Sequence, residues 1–203
     1  MYKVNEIFYS IQGEGMYTGF PTVFVRFSGC NKKCWFCDTE HNTGEMMSAN
    51  DILFRIHHFG SSGNHRVTFT GGEPLLQLDE DLVDLLHKHH YILHLETNGS
   101  INPPFINKID WITVSPKDFS GYVLEGNKWE VGDPDNEWKL RSGNELKIVY
   151  QNDEFLKGYF DNKFDYYFLQ PLSETNIEET VEYVKKNPKW SLSIQQQKIL
   201  NLR

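Results

Sequence analysis

Val23, Val25 and Phe27 alternate with Phe24, Arg26 and Ser28. A period of two marks a strand with two unlike faces. Similar β-rich runs follow at His65–Thr70, Tyr91–Leu95, Ile109–Val114, Glu145–Tyr150 and Tyr166–Leu169, with a closing strand at Trp190–Ile194. Between them the spacing turns helical. Ser48–Phe59 places Ile52, Leu53 and Ile56 on one face, with Ser48 as N-cap and Asp51 three residues on. Asp79–His90 carries a stripe of Leu82, Leu85 and Leu86, and acids fill its first turn. Asn176–Lys186 is the third helix. Strand and helix in alternation predict an α/β fold with a mainly parallel sheet and crossover helices.

Two stretches break the rhythm. Gly29–Glu45 has no clear period, and Ser115–Asn144 is too long for an ordinary connection. Neither reads as a linker, so one domain over residues 1–203 is expected. Polar clusters follow the strands: Thr70-Gly71-Gly72-Glu73-Pro74, Glu96-Thr97-Asn98-Gly99, Ser115-Pro116-Lys117 and Gln170-Pro171-Leu172-Ser173. Any one of them could be turn punctuation. Together, on one rim, they predict a large site at the carboxyl ends of the strands.

Length and charge narrow the classes. The chain has 203 residues, 20 Lys+Arg against 28 Asp+Glu, and a net charge of −8. That balance argues against direct nucleic-acid binding through a basic face. No apolar run is long enough for a membrane span, and the N-terminus lacks a signal-peptide core. A cytoplasmic location is expected. There are 3 cysteines, Cys30, Cys34 and Cys37, an odd number that cannot form a closed disulfide framework.

Three thiolates in one short loop read as a metal site. Zinc would want a fourth ligand, which His41 could supply as Cys3His in a non-enzymatic binding module. A cubane iron–sulfur cluster normally takes four cysteines, so one iron would stay open for a chelating ligand. Two glycines in Gly71-Gly72 let backbone come close to a ligand, and Glu73 can accept from an ammonium.

Cys30-x3-Cys34-x2-Cys37, with aromatic Trp35 inside it, resembles the signature of the radical S-adenosylmethionine superfamily. Thr70-Gly71-Gly72-Glu73-Pro74 resembles its glycine motif. The resemblance implies a 4Fe-4S cluster whose open iron binds the methionyl amino and carboxylate groups. It also implies reductive cleavage to a 5′-deoxyadenosyl radical. The implied fold is a truncated, incomplete βα barrel, which suits a length below the ~250 residues of a complete one.

Asn5-Glu6-Ile7-Phe8, Ser10-Ile11-Gln12-Gly13-Glu14-Gly15, Phe24-Val25-Arg26, Cys37-Asp38-Thr39, Glu96-Thr97-Asn98-Gly99 and Val114-Ser115-Pro116-Lys117 narrow the match. Their order resembles the 7-carboxy-7-deazaguanine synthase family of queuosine biosynthesis, from about Tyr2 to the C-terminus. Another radical enzyme, such as a glycyl-radical activase, is the alternative that shares the cysteine triplet, but Ile11-Gln12-Gly13-Glu14-Gly15 and Cys37-Asp38-Thr39 favour this family. The resemblance implies a lyase that contracts the ring of 6-carboxy-5,6,7,8-tetrahydropterin and releases ammonia. S-adenosylmethionine would be regenerated, and Mg2+ would assist.

It further implies roles by position. Thr39 matches a magnesium ligand, an oxygen donor of the kind Mg2+ accepts. Arg26 suits the substrate carboxylate as a planar fork, although a surface ion pair is the plain alternative. Ile11, Gln12, Gly13 and Glu14 match the pterin-edge readers, and Thr70 the substrate side. Gly72, Glu73, Glu96, Ser115, Pro116, Lys117, Gln170, Pro171, Leu172 and Ser173 match the cofactor side. The C-terminal carboxylate at Arg203 is expected to reach the substrate.

One departure stands out. Family members often carry Gln-Thr-His-Lys near the end, where this chain has Gln195-Gln196-Gln197-Lys198. A glutamine cannot carry a proton at neutral pH. His57, His58, His87, His89 and His90 lie on or beside helices without an acidic partner set, and read as solvated or core-edge histidines. The cluster would need a flavodoxin- or ferredoxin-type electron donor, and Lys32-Lys33 would supply a basic spot for docking. A homodimer is the expected assembly.

Overall fold

The computed structural model describes residues 1–60, 63, 65–117, 122–125, 128–131, 138–156, 163–172 and 175–202. Its strands are β1 (Tyr2–Ile11), β2 (Pro21–Phe27), β3 (Glu45–Met47), β4 (Arg66–Gly71), β5 (Ile92–Thr97), β6 (Trp111–Val114), β7 (Tyr122–Glu125), β8 (Lys128–Val131), β9 (Ser142–Val149), β10 (Lys163–Gln170) and β11 (Ser191–Leu192). Its helices are α1 (Ala49–Gly60), α2 (Glu80–Lys88), α3 (Asp153–Leu156), α4 (Ile177–Lys186) and α5 (Gln196–Ile199).

Nine strands form one sheet in the order β11-β10-β9-β6-β5-β4-β2-β1-β3, and β7 pairs with β8 separately. From β2 to β11 every pairing is parallel, whereas β1 runs antiparallel to β2 and β3. The sheet does not close: β3 and β11 remain its edges among the described residues. The expected α/β fold with an incomplete barrel is met. No helix among the described residues is long and apolar enough to cross a membrane.

Alternation along each strand creates the two faces. Val23, Val25, Phe27, Val67, Phe69, Leu93, Leu95, Leu146 and Ile148 are all 0% exposed. They pack with Ile52 and Ile56 of α1 and Leu82 and Leu86 of α2 in one core. The intervening positions make the concave face: Arg26 lies beside Thr70, His94 beside Trp111, and Glu96 beside Thr113, which lies beside Glu145. That face is polar, which departs from the continuous apolar runs of fully buried parallel strands.

The β1–β2 connection closes the concave face at the amino ends of the strands. Tyr17 packs edge-on against His94 and Trp111, with centroids 4.5 and 4.7 Å away, and Arg66 lies over its ring at 4.9 Å. Met16 N–H donates to Glu145 Oε2 at 3.0 Å, and Gly15 N–H to Ser193 Oγ at 3.0 Å.

Three differences from the sequence pattern have local causes. β1 carries an irregularity between Val4 and Glu6, so its alternation breaks and the pattern hides it. β11 is only two residues; Ser193 N–H still donates to Leu169 O, and the chain then leaves the edge. His87 Nε2 lies 3.1 Å from Asp110 Oδ2, so this histidine does have an acidic partner.

His94 generates a pH prediction. It is 4% exposed, and burial, aided by Arg66, lowers its pKa from 6.5 to about 4. The fold therefore holds the neutral ring, while the unfolded chain takes up a proton below 6.5. This contribution is complete above pH 6.5 and is lost as pH falls through about 4. Urea unfolding should lose roughly 3 kcal/mol over that window through this residue. His94→Gln should flatten the slope, and an unchanged slope would refute the assignment.

Candidate active site

The strands deliver their polar ends to one cavity of about 560 Å³. A buried carboxylate ties its rim loops together. Glu73 is 0% exposed. Its Oε1 accepts from Leu75 N–H at 3.0 Å and Thr97 Oγ1 at 2.7 Å, and Oε2 accepts from Asn98 N–H at 2.7 Å. Its own N–H donates to Gly29 O at 2.9 Å in the cysteine loop. Asn98 Nδ2 donates to Asn31 Oδ1, and Asn31 Nδ2 to Ser100 Oγ. Burial pushes the Glu73 carboxyl up, against these donors and the Lys117 charge.

Glu73 therefore sits behind the wall, with both oxygens engaged inside the protein. Its partners in this structure all belong to the rim loops, which it ties together. Gly72 lines the cavity, with Thr70 and Gly71. A Cβ there would strike the Gly29 carbonyl and come within 2.9 Å of Cys30 Cβ. The two glycine-motif residues thus divide the work between close approach and support.

Cys30, Cys34 and Cys37, none of them in a disulfide, line one wall of this cavity. Cys34 O accepts from Cys37 N–H at 3.1 Å, a tight turn that sets their spacing. Lys32 N–H donates to Cys30 Sγ at 3.4 Å. Among the described residues no three or more of His, Cys, Asp and Glu converge on a single-ion site. A cubane instead takes each thiolate on a different iron, and three thiols leave one iron open. The donor set and the Gly72 cradle fit the cluster with its chelating cofactor.

The cavity floor is ionic. Lys147 Nζ lies 2.6 Å from Glu14 Oε2 and 3.9 Å from Glu96 Oε1. Gln12 Nε2 donates to Glu96 Oε1 at 2.8 Å, and Thr70 Oγ1 to Glu96 Oε2 at 3.3 Å. Burial would raise the Glu14 carboxyl, but the charge and hydrogen bond of Lys147, with the Gln195 and Gln197 amides, hold it below the usual range. Arg26 Nε meets Glu6 Oε1 at 2.9 Å, so the plain ion-pair alternative is what the structure contains, although Arg26 still lines the cavity. Lys117 Nζ donates to Ser115 Oγ at 2.9 Å.

Ile11, Gln12, Gly13, Glu14, Thr39, Thr70, Glu96, Ser115, Lys117, Gln170, Pro171 and Leu172 all line this space with the three cysteines. Pro116 does not line it; it is buried in the turn between Ser115 and Lys117. Ser173 and Arg203 lie outside the described residues. Lys147, Asp38, Gln195 and Lys198 also line the cavity and were absent from the expected set. A charge alternating with Leu146 and Ile148 was the available signal for Lys147. Asp38 pairs with Lys198 and accepts from Gln195 Nε2 at 3.3 Å, bringing the chain's end against the cysteine loop.

Comparison with known proteins agrees with this geometry. A family model described as the radical SAM superfamily matches residues 24–184. The chain belongs to that superfamily. A 7-carboxy-7-deazaguanine synthase of Bacteroides thetaiotaomicron is 40% identical over 203 residues, covering 100% of both chains. One from Burkholderia multivorans is 37% identical over 225 residues, covering 99% of each. Within the superfamily, the chain is a member of the 7-carboxy-7-deazaguanine synthase family. The crystal structure of QueE from Escherichia coli matches with a TM-score of 0.71 and 29% identity, covering 96% of this chain and 93% of that one. Streptococcus suis SuiB, bound to precursor peptide SuiA, shares the fold alone: TM-score 0.57, 20% identity, 80% of this chain and 46% of that one.

Glu73→Ala strands three buried donors at once. Its unfolding free energy should drop by about 3 kcal/mol or more, and Glu73→Gln, which keeps an acceptor oxygen, should lose less. Denaturant titration of the two variants decides this; equal losses would mean that the carboxylate is not the tie.

Proposed function

We propose a division of labour among the cavity residues for the reaction of this family, radical-mediated ring contraction of 6-carboxy-5,6,7,8-tetrahydropterin to 7-carboxy-7-deazaguanine with loss of ammonia. The chain is a radical SAM enzyme and a carbon–nitrogen lyase of queuosine biosynthesis. The observation that carries the reading is the meeting of three thiols, one short of a full cubane set, with an ionic floor in a single cavity.

Cys30, Cys34 and Cys37 would hold the 4Fe-4S cluster. When bound, the cluster and S-adenosylmethionine supply the hydrogen-abstracting radical; the protein binds, orients and excludes water. Gly72 would let backbone reach the methionyl group. Glu96, Ser115, Lys117, Gln170, Pro171 and Leu172 would line the cofactor side. Gln12, Gly13 and Glu14 would face the pterin edge, where Glu14 as a carboxylate accepts from the 2-amino and N3 hydrogens. Thr70 stands between the two sides through its bond to Glu96. Arg26 would exchange Glu6 for the substrate carboxylate, a swap of like partners. Thr39 would give its hydroxyl to Mg2+ beside Asp38, whose Oδ1 lies 3.4 Å away.

An electron must reach the cluster from outside. Trp35 is 64% exposed at the tip of the cysteine loop, and Lys33 beside it is exposed. With Lys32, this spot suits a flavodoxin- or ferredoxin-type donor, which is commonly acidic. Changing both lysines to Glu should slow reduction by the protein donor and spare reduction by dithionite. Equal rates with both reductants would remove the docking assignment.

The whole reading is tested by anaerobic reconstitution with S-adenosylmethionine, Mg2+, dithionite and the carboxypterin. Wild-type protein should be brown and form the deazaguanine acid; Cys34→Ala should form none. A colourless protein holding stoichiometric zinc would overturn it.

A further inference from the structure

Lys147 belongs to none of the rim motifs. It lies on β9 between Leu146 and Ile148, and its side chain is 8% exposed. It contacts Glu14 at 2.6 Å and faces Glu96 at 3.9 Å. Glu145, two residues earlier on the same face of β9, is buried. Three carboxylates thus surround one ammonium.

The other partners of Glu14 differ in kind. Gln195 Nε2 and Gln197 Nε2 both donate to Oε1 at 2.9 Å. Gln197 is carried by α5, a four-residue helix with Ile199 and Leu200 exposed, and Gln195 is its N-cap residue. Neutral amide bonds are weaker than the charge-assisted bond from Lys147. They are the bonds that a ligand's N–H groups can replace. Gln197 Oε1 is buried without a partner among the described residues, so that amide is only half satisfied where it sits.

Resting on the functional reading above, we propose that Lys147 is the positioning residue of the substrate subsite. It holds the Glu14 carboxylate as an acceptor facing the cavity, while the Gln195 and Gln197 amides give way to the 2-amino and N3 hydrogens of the pterin.

The charged groups around Glu14 are Lys147, Glu96 and Glu145, with Asp38 joined through Gln195 and itself paired to Lys198. Burial pushes the Glu145 carboxyl up, and the charges of Glu96 and Glu14 add to this against Lys147. Removing the ammonium takes away the cation that holds the Glu14 carboxyl down against its burial, so Glu14 retains a proton nearer neutrality. A protonated Glu14 would turn a donor toward a donor.

The test is carboxypterin binding to cluster-loaded, S-adenosylmethionine-bound protein, by anaerobic calorimetry without reductant. Wild type and Lys147→Arg, which keeps the charge, should bind with level affinity from about pH 6 to about pH 9. Lys147→Met should bind roughly 30-fold or more weakly at the acid end. Its affinity should recover as pH rises and the trapped proton leaves. The proposal is overturned if Met and Arg weaken alike without pH dependence, or if Met changes nothing. Should Lys147→Met lose its cooperative melt, the infrared difference between wild type and Glu14→Gln decides. A carboxylate band at about pH 6 supports the proposal, and a protonated carboxyl band overturns it. If wild type itself does not bind the carboxypterin, the functional reading falls with the proposal; if wild type binds and the variants match it, the proposal alone falls.

Discussion

The rim of this protein depends on one buried carboxylate. Loops at the carboxyl ends of parallel strands have no ladder of their own, so something else must set their spacing. Glu73 does so with three accepted hydrogen bonds and one donated by its backbone, which join the connections after β2, β4 and β5. A charge kept out of water is costly unless every lone pair finds work. Here the donors are backbone and hydroxyl groups already fixed by the sheet. The cysteine loop is held against the glycine motif as a result, close enough that Gly72 tolerates no side chain.

The same economy governs the cavity floor. A sheet that buries one face under helices can leave the other polar, provided that the polar groups satisfy one another. Gln12 and Thr70 donate to Glu96, Lys147 donates to Glu14, and Met16 N–H donates to Glu145. The aromatic packing of Tyr17 with His94 and Trp111 seals the far end. The polar lumen is lined at the rim by the thiols. Thr70, Glu96 and Lys147 all belong to one network.

The chain's end completes the enclosure. Gln196 N–H donates to Gly13 O, Gln197 to Glu14, and Lys198 pairs with Asp38 beside Cys37. Relatives with a histidine at the position of Gln197 could place a proton there. This chain places a neutral amide, so its contribution is confined to hydrogen bonding.

Much of this was legible before any fold was known. Period-two runs located β2, β4, β5 and β6, since those strands bury one face and alternation records it. The cysteine spacing and the glycine pair marked the cluster wall, because ligand geometry and close backbone approach demand those residue types locally. Other features were set only by tertiary structure. Glu73 reads in sequence as a ligand, and its tie between the loops is not visible there, since its partners Thr97 and Asn98 arrive from the next strand. Arg26 gains Glu6 through the register of β1, a strand whose irregularity hid it. Lys147 reads as one polar residue in an apolar run. Only the parallel pairing of β6 with β9 brings it beside Glu96, and only the β1–β2 connection brings Glu14 to it. Local chemistry is written in neighbours along the chain; the charge balance of the lumen is written in neighbours across strands, and the sheet order decides those.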